Sequence, residues 1–325
     1  MAELIRVENL KKYFRTPGGM LHAVDDVSFS LEEGSTLGVV GESGCGKSTL
    51  GRTILGLQDA TGGRVLYRGK PTTGNSKKEQ RELRRNMQLI FQDPFSSLNP
   101  RYCVSELIAD PMKIYHTYSS RQDLQKRVYE LMDTVGLARR LAFAYPHELD
   151  GGRRQRIGIT RALALDPEFI VCDEPVSALD VSIQAQVLNL LQDLQEEHGL
   201  TYMFITHDLS VVKHISDAIM VMYLGSVVEK CESKELFRRP LHPYTQGLLS
   251  AIPNIDIDAP RNRIYMQGEL SSPIDPPPGC RFANRCPYVE GKCRESTPEL
   301  KDIGGGHFVA CHCLEKVNAS GGEQR

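Results

Sequence analysis

Eight consecutive residues restrict the fold of this chain more than any other feature. Residues 41 to 48 read Gly41-Glu42-Ser43-Gly44-Cys45-Gly46-Lys47-Ser48, two glycines bracketing four residues and followed by Lys and Ser, the pattern of a phosphate-binding loop. Thr36-Leu37-Gly38-Val39-Val40 before it reads as a buried strand, and Ser48-Thr49-Leu50-Gly51-Arg52-Thr53-Ile54-Leu55 after it reads as a helix. That context predicts an α/β fold holding a nucleoside triphosphate. The glycines let successive N–H groups and the helix N-terminus face the phosphates, Lys47 adds a mobile positive charge, and Ser48 is placed to hold Mg²⁺. Gly41, Ser43, Gly44, Cys45, Gly46, Lys47, Ser48 and Thr49 are the nucleotide-binding candidates.

Composition narrows the class. With 325 residues and 40% hydrophobic content, there is material for one large or two ordinary domains, each with a core. The formal net charge of -2, with both signs interspersed, offers no basic face to a polyanion, so nucleic acid is not an expected partner. The longest mostly apolar stretch, residues 218–228, is broken by Gly225 and Ser226 and is far short of the ~20 residues that span a bilayer. Met1-Ala2-Glu3-Leu4-Ile5-Arg6 has no apolar signal-peptide core, which points to the cytosol. Thiols stay reduced there, so the nine cysteines are not read as disulfides.

Phe169-Ile170-Val171-Cys172-Asp173-Glu174 is an apolar strand ending in two carboxylates. Alone, such a pair reads as a solvated edge or a helix cap. Downstream of a phosphate loop, Asp173 suits the Mg²⁺ shell and Glu174 suits the base that polarises water. The order of motifs now resembles the ATP-binding subunits of ATP-binding-cassette transporters. The resemblance implies that Gln92, in Leu89-Ile90-Phe91-Gln92-Asp93-Pro94, senses nucleotide and Mg²⁺ and meets membrane subunits, and that Ser177-Ala178-Leu179-Asp180 crosses to a partner ATPase. It also implies that His207, after the apolar Phe204-Ile205-Thr206, contacts the γ-phosphate, and that Tyr13 stacks on adenine. Phe14 as the stacker, or a core role for both rings, are the alternatives for Tyr13.

One motif departs from the family. Its Leu-Ser-Gly-Gly-Gln signature stands here as Leu149-Asp150-Gly151-Gly152-Arg153. In the family the serine and glycines hold the γ-phosphate of nucleotide on the opposite subunit. Two unit charges ~4 Å apart interact by about 4 kcal/mol at an effective dielectric of ~20, so Asp150 implies a weakened composite site and pairing with a different ATPase. The plainer reading is that Asp150 caps the helix that follows, a task Asp and Ser share.

Three segments resemble the dipeptide and oligopeptide importer branch: Asp93-Pro94-Phe95-Ser96-Ser97-Leu98-Asn99-Pro100, His242-Pro243-Tyr244-Thr245-Gln246-Gly247-Leu248-Leu249, and the Pro-rich run Ser272 to Cys280. Beyond residue 279 lie five of the nine cysteines, Cys280, Cys286, Cys293, Cys311 and Cys313. Gathered thiolates suit a soft metal or an iron–sulfur cluster, and the gaps are wider than the tight pairs of most zinc sites. The resemblance implies a [4Fe-4S] cluster on Cys280, Cys286, Cys293 and Cys311, with zinc and unligated thiols as alternatives. Cys45, Cys103, Cys172 and Cys231 read as small buried hydrophobes.

The expected architecture is a phosphate-loop ATPase core over residues 1–255, a doubly wound α/β sheet with an N-terminal antiparallel β portion and a helical subdomain near 93–165. A cysteine-bearing extension follows over 256–325. Helices are predicted at 121–135 and 153–165 from their three- and four-residue apolar spacing, an exposed loop at 70–81 and a disordered tail at 318–325. By resemblance the chain is an ATPase on the cytoplasmic face of the membrane. Its partners are a second ATPase subunit as heterodimer, two membrane permease subunits and an extracytoplasmic peptide-binding protein. The alternatives are another solute such as nickel, a soluble nucleotide switch, and a non-hydrolysing subunit.

Overall fold

The structure, a computed structural model, describes residues 2–252, 264–266, 268 and 271–317. It divides into two compact units. The first comprises the described residues of Met1–Ala2, Glu32–Ser35 and Gly74–Ile205. Its sheet is parallel, with Phe169–Asp173 between Met87–Ile90 and Thr201–Ile205. Every residue of Phe169–Asp173 and Thr201–Ile205 is buried, the pattern of a strand covered on both faces. Register sets Ile90 opposite Cys172 and Asp173 opposite Ile205, so Gln92 and Glu174 emerge from the carboxyl ends of adjacent strands, where α/β sheets place ligands.

The longer helices that follow residue 90 in this unit are Val104–Tyr115, Arg121–Thr134, Gly151–Leu163 and Val181–His198, with a short one at Pro94–Ser97. The first three form the helical portion expected near 93–165. Val181–His198 starts on Asp180, whose carboxylate accepts from Ile183 N–H at 3.0 Å, and stops at Gly199 in the left-handed region. The expected loop at 70–81 is corrected: Lys70–Pro71 is a short strand and Lys77–Asn86 a helix. Ser76 and Glu79 close a capping box there, Glu79 N–H donating to Ser76 Oγ and Ser76 N–H to the Glu79 carboxylate. The helix buries none of its residues, which is why no apolar stripe announced it.

The second unit comprises the described residues of Glu3–Leu31, Thr36–Thr73 and Thr206–Arg325. One sheet is antiparallel, in the order Gly19–Glu32, Glu3–Thr16, Gly62–Tyr67, Lys70–Pro71. This is the expected N-terminal β portion. In the other, Thr36–Val40 runs parallel to Ala218–Tyr223, which pairs antiparallel with Ser226–Glu232. Phe308–Val309 and then Lys301–Asp302 continue it. The proline-rich segment lies along the first sheet, His22 N–H donating to Pro273 O and Asp275 N–H to Met20 O. The expected boundary at 255 and the tail at 318–325 fall outside the described residues.

Candidate functional site

In the second unit, the buried strand Thr36–Val40 delivers the chain to the phosphate loop, and the helix Lys47–Ile54 leaves it. Gly46 is the N-cap at φ 103°, and a Cβ there would stand 1.9 Å from Ala23 O. Only glycine meets both demands. Lys47 is almost fully buried, and its Nζ donates to Gly41 O at 2.8 Å and Glu42 O at 2.9 Å. The ammonium thus rests on carbonyls of its own loop, a satisfied position from which it can turn to a phosphate. Ser43 and Gly44 are exposed, Gly41 and Cys45 buried, and Ser48 and Thr49 half-buried in the first helical turn.

Glu42 is held on each of its polar groups. Its N–H donates to Tyr244 Oη at 2.9 Å, and its carboxylate accepts from Arg285 Nη1 at 3.0 and 2.9 Å. Tyr223, Tyr244 and Phe282 pack edge-on or tilted around that contact, with centroids 4.7 to 5.5 Å apart. Behind them lies Glu229, fully buried, which accepts from Leu241 N–H, His242 N–H and His307 Nε2 at 2.7 to 2.9 Å. Burial pushes His242 down to about 4, against the attraction of Glu229. Neutral His242 accepts Tyr244 N–H on Nδ1 and so caps the helix Pro243–Ser250. Sequence reasoning took His242-Pro243-Tyr244 only as a mark of the branch, and passed over Glu229, Arg281, Arg285 and His307. An acidic residue inside a phosphate loop was the available signal, since such a charge needs a cation.

Tyr13 lies on Glu3–Thr16, its ring stacked on His22 at 4.0 Å and 18°. Its hydroxyl donates to Asp25, which His22 Nδ1 also contacts at 3.1 Å and Arg281 engages in an ion pair. Burial works against the Asp25 charge, but the bonds from Tyr13 and His22 and the Arg281 charge hold its carboxyl below the ordinary range. His207 is exposed, two residues past the strand Thr201–Ile205.

In the first unit, Asp173 closes its strand and is 1% exposed. Glu174 follows at φ 47°, a left-handed backbone uncommon for a non-glycine residue and characteristic of functional turns. Its N–H donates to Ile205 O at 2.9 Å, and its Oε2 accepts from Gln92 Nε2 at 2.9 Å. The structure therefore brings Gln92 and Glu174 together. Asp150 caps Gly151–Leu163: its Oδ1 accepts from Arg153 N–H at 2.8 Å and its Oδ2 pairs with Arg153 Nε at 3.3 Å. Gly152 meets a close neighbour, since a Cβ there would approach Ile183 Cγ2 to 2.6 Å. Arg153, where the family has Gln, belongs to the same cap.

Four of the five C-terminal thiols share one small cluster. Cys293 and Cys313 are buried with Ala283, and Cys280, Cys311, Tyr288 and Val289 pack against them. Cys293 Sγ and Cys313 Sγ stand 3.6 Å apart. Cys311, the expected fourth ligand, instead accepts Cys313 N–H at 3.3 Å. Burial pushes Cys280 and Cys286 up to about 11. The donors suit a soft metal, but among the described residues no three His, Cys, Asp or Glu are arranged to hold an ion. The arrangement thus does not support the iron–sulfur expectation. Cys45, Cys103, Cys172 and Cys231 are buried, as expected of small hydrophobes.

No described helix is long and apolar enough to cross a membrane. The family model for ABC transporters matches residues 24–177, and that for the oligopeptide/dipeptide transporter C-terminal region matches residues 228–293. The putative oligopeptide transport ATP-binding protein YkfD of Bacillus subtilis is 54% identical over 312 residues, 95% of each chain. The dipeptide transport ATP-binding protein DppF of Escherichia coli is 48% identical over 96% of this chain and 95% of its own. Among solved structures, the dimeric post-hydrolysis state of the ATP-binding cassette MJ0796, bound to ADP and Pi, is similar with a TM-score of 0.64. It is 29% identical and covers 71% of this chain and 99% of its own. Matched both on its phosphate-loop region and on its C-terminal region, the chain belongs to the ABC transporter family, among the ATP-hydrolysing subunits of its oligopeptide and dipeptide branch.

Proposed function

We propose that this chain powers the import of di- or oligopeptides by hydrolysing ATP. Residues Gly41, Ser43, Gly44, Cys45, Gly46, Lys47, Ser48 and Thr49 bind the phosphates, and Tyr13 takes the adenine. The oxygens of Ser48, Asp173 and Gln92 suit Mg²⁺, a hard cation that neutralises phosphate charge. Glu174 accepts the proton of the attacking water, and His207 contacts the γ-phosphate. The observation that carries this reading is the Glu174 carboxylate, set by a left-handed turn directly after buried Asp173 and bonded to Gln92. That bond keeps the base oriented. Replacing Glu174 with Gln keeps the shape and removes the basicity, so ATP turnover in the assembled transporter should fall by about 10²- to 10⁴-fold. Turnover within twofold of the parent would reverse the assignment.

The assembly we propose is peripheral, on the cytoplasmic face of the membrane, with two permease subunits, a second ATPase and an extracytoplasmic peptide-binding protein. The names of YkfD and DppF support peptide cargo. An asymmetric pair is supported by Asp150, an exposed carboxylate where the family signature has serine. For a soft-metal or [4Fe-4S] site on Cys280, Cys286, Cys293 and Cys311 only the donor type speaks, the arrangement of the described residues giving it no support. Iron and acid-labile sulfide in chain purified without oxygen test it, and absence of both rejects it.

A further inference from the structure

We infer that Arg285, with Tyr244, is a positioning residue for the phosphate loop, acting through Glu42. The inference rests on the reading of that loop as the nucleotide site. A loop built to receive a polyanion carries an acid at its second position, only five residues before Lys47. Left unpaired, that carboxylate would repel the incoming phosphates and draw Lys47 toward itself. Arg285 prevents this. One guanidinium nitrogen reaches both Glu42 oxygens, and the Arg285 side chain is only 10% exposed, so solvent screens the pair weakly. The guanidinium is fixed in turn beside Tyr223, 5.9 Å from its ring centroid. Tyr244, with no solvent exposure, holds the Glu42 N–H on its hydroxyl. Glu42 O meanwhile receives Lys47 Nζ. A continuous line of polar contacts therefore runs from Arg285 through Glu42 to the lysine expected to bind phosphate.

The line begins in the cysteine-bearing segment. Cys286 follows Arg285 directly, and Arg281, the neighbour of Cys280, pairs with Asp25 beside Tyr13 in the same way. The stretch 280–286 thus neutralises one acid in the phosphate loop and one next to the candidate adenine ring.

Charge neutralisation and simple bracing make opposite predictions for Glu42. Equilibrium binding of a fluorescent ATP analogue with Mg²⁺ to the full chain, at low and high salt, separates them. Arg285→Ala should weaken binding about tenfold at low salt and less at high salt, and Arg285→Lys should recover part of the loss. Glu42→Gln should bind as tightly as the parent or tighter, and Glu42→Gln with Arg285→Ala should return to near the parent value. Unchanged affinity in Arg285→Ala, or a double variant as weak as the single, overturns the inference. If Arg285→Ala does not fold by circular dichroism, weaker binding in Glu42→Gln alone overturns it. Lys47→Ala is the control: undiminished binding there overturns the nucleotide reading itself.

Discussion

The phosphate loop and the cysteine-bearing segment present their polar groups by different means. In the loop, the groups offered to a ligand are backbone N–H donors and one lysine, all carried by residues 41–48, so covalent geometry and one glycine-permitted turn arrange them. In the segment, the thiols of Cys280, Cys293, Cys311 and Cys313 meet only because the chain folds back on itself. The backbone donors of adjacent residues are arranged by local geometry alone, and only the Lys47 side chain has to turn. Groups gathered from distant positions take the arrangement that packing favours, here a Cys293–Cys313 contact. The two regions are joined by Glu42–Arg285, which makes the contrast testable.

The largest effect should follow from disturbing the backbone of the loop. Gly46→Ala forces a Cβ against Ala23 O at a positive φ, and neither backbone has room to yield. The substitution should lower ATP-analogue affinity by about 100-fold, the scale of Lys47→Ala, which removes a charge-assisted contact worth roughly 1.5–3 kcal/mol. If Gly46→Ala binds normally, the loop is not preorganised by its glycine turn.

The next effect concerns how the segment is anchored. Folded His242 titrates at about 4, against about 6.5 for a free histidine. Between those values the unfolded chain binds more protons, so stability is full above pH 6.5 and is lost as pH falls toward 4. The loss is at most about 1.4 kcal/mol per pH unit. Protonation also removes the Nδ1 acceptor that caps Pro243–Ser250. Urea midpoints between pH 7 and pH 5 should move less in His242→Asn, which keeps an oxygen acceptor and does not titrate. An equal pH dependence in the variant would place the acid sensitivity elsewhere.

What was legible in the sequence follows the same division. The strand, loop and helix of the phosphate site, the carboxylate-ended strand and the helices starting at Arg121 and Gly151 could be read because each depends on residues close in the chain. The helix Lys77–Asn86 was missed although Ser76 and Glu79 spell its capping box, because with no buried side chain it carries no apolar period. The partners of Glu42 could not be read at all. Tyr244 and Arg285 stand 202 and 243 residues away, and nothing local distinguishes a tyrosine or arginine that will reach a loop from one that will not. Iron–sulfur ligation was expected from donor type, spacing and family resemblance, and spacing along a chain does not determine how thiols settle against one another.

The smallest effect separates a cap from a damaged site. Asp150 accepts Arg153 N–H in the geometry that serine also supplies, so Asp150→Ser should leave the unfolding midpoint nearly unchanged, within about 0.5 kcal/mol, while Asp150→Ala should cost about 1 kcal/mol. The Arg153 ion pair adds little, because both side chains are about half exposed. Stability and turnover then report different things. If asymmetry is right, Asp150→Ser, being neutral in stability, should raise ATP turnover of the assembled transporter by relieving a negative charge at one composite site. If turnover stays level in a variant whose stability is also level, Asp150 does no more than cap a helix, and the signature of this chain differs from the family in spelling alone.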